Sequence, residues 1–198
     1  MARLAAFVRG MPRFAILFVL GAAACGGDDG APVELACDGV VRSVSGEPAL
    51  HVPIGSSITW STNPPATGMH YPIWARWDTH YTSLERGFWV HNAEHGGVIL
   101  LYNCPQGCPE VVDALLEVAR EAAPDGSCQA PVRNRVLVVA DPLLPEEVQV
   151  AAVGWNATYT ASCFDPYIGT FAAQRYGKGP EDICRDGASL GGTFIEAP

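Results

Sequence analysis

The sequence predicts an α+β domain in which a mainly antiparallel sheet carries helices on one face, with a long aromatic and proline-rich loop and disulfide staples. Three observations lead to it. Two segments, at 98–102 and 135–140, the first a continuous apolar run and the second apolar after Arg135, have the length and β-branched content of buried strands. Between them, residues 109–123 set Val111, Val112, Leu115, Leu116 and Ala119 at helical spacing, with acids between and Pro109 at the start. Six cysteines lie in the region 36–198 that would form this domain.

The elements follow in chain order. Residues 56–61 are rich in β-branched and aromatic side chains and are bounded by turn formers, which predicts a first strand. Residues 62–80 then interleave Pro64, Pro65, Gly68 and Pro72 with His70, Tyr71, Trp74 and Trp77. That density of aromatics gives a loop something to bury, and long ordered loops in compact domains commonly carry function. After the strand at 98–102, the helix at 109–123 and the strand at 135–140, residues 149–155 are expected to pair with that last strand. Residues 164–176 return to helical spacing, with Asp165 as N-cap. Runs of strand, helix, strand, strand, helix fit helices segregated to one sheet face.

The N-terminal segment reads differently. Residues 1–24 hold Arg3, Arg9 and Arg13, no acid, and an apolar run closing on Gly21 and three alanines, the layout of an export signal. The run is well short of the roughly 20 residues that span a bilayer. Cys25 follows at once, and the segment is similar to a bacterial lipoprotein signal, which implies lipid on Cys25. The alternative is an ordinary cleaved signal with Cys25 as a free thiol. Residues 25–35 then form a flexible tether, and 36–198 a single domain. Loss of 1–24 removes three arginines from a chain of net charge −9, leaving −12. So acidic a protein has no basic field for nucleic acid, and its membrane attachment would come from the lipid. The expected location is the cell envelope, anchored and facing the periplasm or the exterior; protein partners cannot be read.

With Cys25 set aside, Cys37, Cys104, Cys108, Cys128, Cys163 and Cys184 form an even set suited to three disulfides outside the cytoplasm. Pro105 and Gly107 supply a turn that could close Cys104 on Cys108. Cys163 and Cys184 flank a helix and could staple it, leaving Cys37 with Cys128. Many pairings are open, and sequence alone chooses among none.

All five histidines fall between positions 51 and 95, the densest in Val90-His91-Asn92-Ala93-Glu94-His95-Gly96-Gly97. In a helical turn His91, Glu94 and His95 share one face, so two imidazoles and a carboxylate can converge on a cation. The spacing matches the HxxEH pattern of inverted zinc peptidases, but those enzymes hold it within a long helix and here Gly96-Gly97 ends any helix at once. The segments Asn63-Pro64-Pro65-Ala66-Thr67-Gly68-Met69-His70-Tyr71 and Val90 to Val98, with Tyr102, Val153-Gly154-Trp155 and the acid-led helix after Phe164, resemble the DUF3105 family of exported bacterial proteins. The resemblance runs from about His51 to Tyr176. It implies that His51, His70, His91, Glu94 and His95 belong to one site, and it brings no assigned activity.

Imidazole suits zinc or copper among the transition metals, and Met69 would add a soft ligand for copper(I). The leading expectation is a metal-binding envelope protein. Alternatives are a metal-dependent hydrolase with Glu94 as general base, or a non-catalytic domain whose histidines only hold the loop. His80 lies outside these motifs.

Overall fold

The computed structural model describes residues 35–196. The expected signal at 1–24, Cys25 and nearly all of the 25–35 tether lie outside the described residues. The elements are β1 (Val40–Ser43), β2 (Thr79–Tyr81), α1 (Arg86–Glu94), β3 (Val98–Tyr102), α2 (Pro109–Glu121), β4 (Val136–Ala140), β5 (Val150–Gly154), β6 (Ala157–Ala161), α3 (Tyr167–Arg175) and β7 (Thr193–Phe194). They build an α+β fold on one seven-stranded sheet of order β1-β6-β5-β3-β4-β2-β7. The sheet is mixed. β4 runs parallel to both β3 and β2, while the remaining ladders are antiparallel.

Helices cover both faces, where one was expected. On one side α1 brings Phe88, Trp89, Val90 and Ala93 onto Ile99, Leu101, Leu137, Val139, Ala151 and Val153, together with Trp77 from the preceding loop. On the other, α2 and α3 bring Val111, Leu115, Ala119, Ile168 and Phe171 onto Val98, Leu100, Val136, Val138, Val150 and Ala152. The reason is in the strands. β3 and β5 are buried at every position and β4 nearly so, and apolar residues that alternate between two faces need cover on both. Each large aliphatic side chain buried in this way contributes about 1.5–3 kcal/mol.

Several local expectations change. Residues 56–61 are loop, not strand, and the loop continues to β2, with residues 64–68 buried. The strand at 149–155 exists as β5, but it pairs with β3 and β6 and not with β4. A tight turn at Asn156, in left-handed backbone at φ 59°, folds β6 back on β5 and leaves β3 to insert between β5 and β4. Pro166 occupies the N-cap of α3; Asp165 still accepts a hydrogen bond from the Tyr167 N–H at 2.9 Å, and another from the Tyr159 hydroxyl at 2.9 Å.

Three disulfides form among the described residues. Cys104 pairs with Cys108, as the turn between them allows. The other two exchange partners relative to expectation: Cys37 joins Cys163, and Cys128 joins Cys184. Fold topology decides this. β1 lies against β6, which places Cys37 beside Cys163, two residues past the end of β6, at a Cα separation of 5.2 Å. Cys184 is carried past α3 to the loop after α2, where Gln129 N–H donates to its carbonyl.

Candidate metal centre

Four segments converge beside the C-terminal end of α1. The first two meet in a short bridge: His70 N–H donates to Leu50 O and Val52 N–H to His70 O, which sets His51 against His70. The third is α1, whose last turn presents His91 and Glu94 three residues apart on one face. Its end is set by Gly96, at φ 79°, after His95 as C-cap. The fourth is the chain after α3, which brings Glu181 to His95.

Asn92 fixes how the aromatic loop lies on this helix. Its side chain is fully buried; Oδ1 accepts the Ala75 N–H and Nδ2 donates to Ala75 O, both at 2.9 Å. Trp74, next in the chain, stacks edge-on to His95 and His91 with ring centroids 4.4 and 5.3 Å apart.

The imidazoles pack closely. Ring centroids are 5.0 Å apart for His51 and His70, 4.8 Å for His51 and His91, and 4.7 Å for His70 and His91. His70 Nδ1 lies 2.9 Å from Gly68 O, and His91 Nδ1 2.7 Å from Tyr71 O. A carbonyl only accepts, so each Nδ1 carries the proton, and in the neutral ring each Nε2 presents a lone pair. Those lone-pair atoms face Glu94: His70 Nε2 is 2.9 Å from Oε2 and His91 Nε2 3.8 Å from it. Beyond this carboxylate, the buried His70 Nε2 has no polar partner among the described residues.

Burial depresses the His91 pKa to about 4, with His95 the next contributor, and burial likewise carries His95 to about 4. Burial alone would raise the Glu94 carboxyl; the adjacent His70, His91 and His95 outweigh it and hold Glu94 below the usual carboxylate range. Near neutral pH the site therefore holds neutral His91 and His95 beside an ionised carboxylate, the protonation states that bind metals.

His51, His70, His91 and Glu94 each offer one donor atom, all within 4.8 Å of one another. Ligands on a tetrahedral ion with bonds near 2.0–2.1 Å stand about 3.3 Å apart, so small rotations close the set on one ion. His95 falls outside this group. It touches its edge, with Nε2 3.1 Å from His91 Nε2, and forms a second group with Glu94 and Glu181. His80 is elsewhere, hydrogen-bonded through Nε2 to the Tyr102 hydroxyl. Met69 is 37% exposed, while its neighbour His70 is fully buried.

Residues 51–186 match the family described as "Protein of unknown function (DUF3105)". The chain belongs to this family. The DUF3105 match opens on His51 and extends past Glu181, so it takes in both donor groups. No curated protein and no solved structure matches the chain. Two contributors were not assigned from sequence. Asn92 lies inside the histidine motif, and its role has no signal in the sequence because it depends on how the loop at Ala75 lies on α1. Glu181 had no signal, being one acid among many in a chain of net charge −9.

Proposed function

We propose that this protein is an exported, lipid-anchored envelope protein that binds a transition-metal ion, zinc or copper, through His51, His70, His91 and Glu94. One observation carries the metal reading. His70 and His91 have both committed their Nδ1–H groups to backbone carbonyls, and their Nε2 atoms face the same carboxylate. Acceptors held this close repel unless a proton or a cation lies between them, and carbonyl-anchored imidazoles are the arrangement that orients histidine ligands. Burial supports a cation over protons, since it disfavours the imidazolium form of His91. Glu94 serves as a ligand here, since it lies among the donors, which disfavours its use as a free general base in hydrolysis.

Export and anchoring rest on the basic, apolar and small-residue order of 1–24 followed by Cys25, and three disulfides suit that compartment. The deciding measurement is metal content of the purified protein after incubation with Zn(II) or Cu(II) and removal of free ion. At least one ion per chain is expected, with the His91→Ala variant losing it. No stoichiometric ion, or the same content in His91→Ala, would rule the reading out.

A further inference from the structure

Beside the first donor set lies another that shares a member with it. His95 Nε2 is 3.1 Å from Glu181 Oε2, and Glu94, His95 and Glu181 each offer an atom within 4.8 Å of the others. We propose that the site holds two divalent cations, one among His51, His70, His91 and Glu94 and the other among Glu94, His95 and Glu181, with the Glu94 carboxylate bridging them. The inference rests on the metal-binding reading above and extends it to a carboxylate-bridged pair, in which ions stand about 3.5–4 Å apart.

The position of Glu181 is built into the backbone. Its N–H donates to Glu94 O at 3.1 Å, and Gly177 N–H donates to Gly96 O at 2.8 Å. Between them, a Cβ on Gly179 would lie 2.1 Å from Glu94 O and 2.3 Å from Gly96 N, so only glycine lets the segment press this close. Asp182 is held by the buried Arg135, and Cys184 by its disulfide to Cys128. A surface acid that met His95 by chance would not need a glycine contact, two backbone bonds and a disulfide to hold its segment.

Charge points the same way. Glu94 and Glu181 flank a buried imidazole, and the guanidinium of Arg135 is already engaged by Asp125, Asp182 and the His95 carbonyl. His95 itself is 1% exposed. Two carboxylates and one imidazole favour a harder ion than the histidine-rich neighbour does, so Zn(II) or Mn(II) fits the second position better than copper(I). Glu181 has half its side chain in solvent, which makes this the weaker and faster-exchanging position.

Equilibrium dialysis of the metal-stripped protein against Zn(II) tests this. Wild type is expected to bind two ions per chain, and Glu181→Gln one, at the affinity of the tighter wild-type ion. His91→Ala is expected to lose the tighter ion. If wild type binds one ion and Glu181→Gln binds it equally well, the second position is overturned while the first stands; no ion in wild type removes both. Two ions in Glu181→Gln would also overturn the proposal, by placing the second ion elsewhere. Loading with Mn(II) supplies a readout independent of variants: a bridged pair gives an exchange-coupled electron paramagnetic resonance spectrum, and only the isolated-ion signal would refute the bridge.

Discussion

Replacing Asn92 with alanine is expected to destabilise the metal-free protein by about 3–4 kcal/mol. Asn92 is fully buried and satisfies two backbone groups of Ala75, itself fully buried, at 2.9 Å each. Truncation strands one N–H and one C=O without water, each at about 1–3 kcal/mol. Urea unfolding of the disulfide-intact protein measures the loss, and a change under about 1 kcal/mol would refute the argument. Asn92→Asp probes the same contact through pH. The aspartate keeps an acceptor for the Ala75 N–H but turns a second oxygen toward Ala75 O, where only a protonated carboxyl can donate. Its folded pKa is therefore raised above the unfolded value near 3.9. A group raised in this way contributes stability below its unfolded pKa and loses it as pH rises through the folded one. The deficit of Asn92→Asp against wild type must then be small in acid and grow toward neutral pH. A deficit that is constant with pH would show that the donor to Ala75 O does not matter.

Three other outcomes are expected. His91 and His95 titrate near 4 when folded and near 6.5 when unfolded, so the unfolded chain binds more protons in that window. The metal-free protein should thus lose stability as pH falls from about 6.5 toward 4; denaturant midpoints at several pH values check this, and a flat profile in His91→Ala, His95→Ala would confirm the source. Removing the Cys128–Cys184 disulfide, with a separation of 56 residues, should cost about 4 kcal/mol, against about 2 kcal/mol for Cys104–Cys108 with a separation of 4. Serine variants compared by denaturant unfolding would reverse or equalise that order if chain entropy is not the main term. Gly97→Ala would set a Cβ 2.4 Å from the buried Trp77 ring and 2.9 Å from Asn92 O, which should cost at least about 1–3 kcal/mol and is read from the melting temperature.

Legibility in the sequence followed the range of the physics involved. α2 was visible because one face is apolar and the other solvated, and β3 and β4 because continuous apolar runs have few other uses. α1 had no such contrast: residues 87–94 are all buried, so polar and apolar positions carry no periodic signal. β1, β2 and β7 are short strands of two to four residues, with β1 and β7 exposed at the sheet edges, and nothing local distinguishes them from loop. The helices on both faces were implicit in β3 and β4, whose unbroken apolar runs leave no solvated side.

The same division runs through the metal centre. His91, Glu94 and His95 could be grouped from spacing alone, because three and four residues are helix geometry wherever the helix lies. Spacing could not separate them, and the fold does: His91 and Glu94 turn toward His51 and His70, while His95, one residue past the helix, turns to Glu181. That separation depends on Gly96, whose left-handed backbone ends α1 and gives the segment after α3 room to reach the helix end. The glycines after His95 read from sequence only as a helix stop. In the fold, Gly96 also admits the chain that completes the second donor set, so shortening or stiffening this turn should remove Glu181 from His95 while leaving His70, His91 and Glu94 in place.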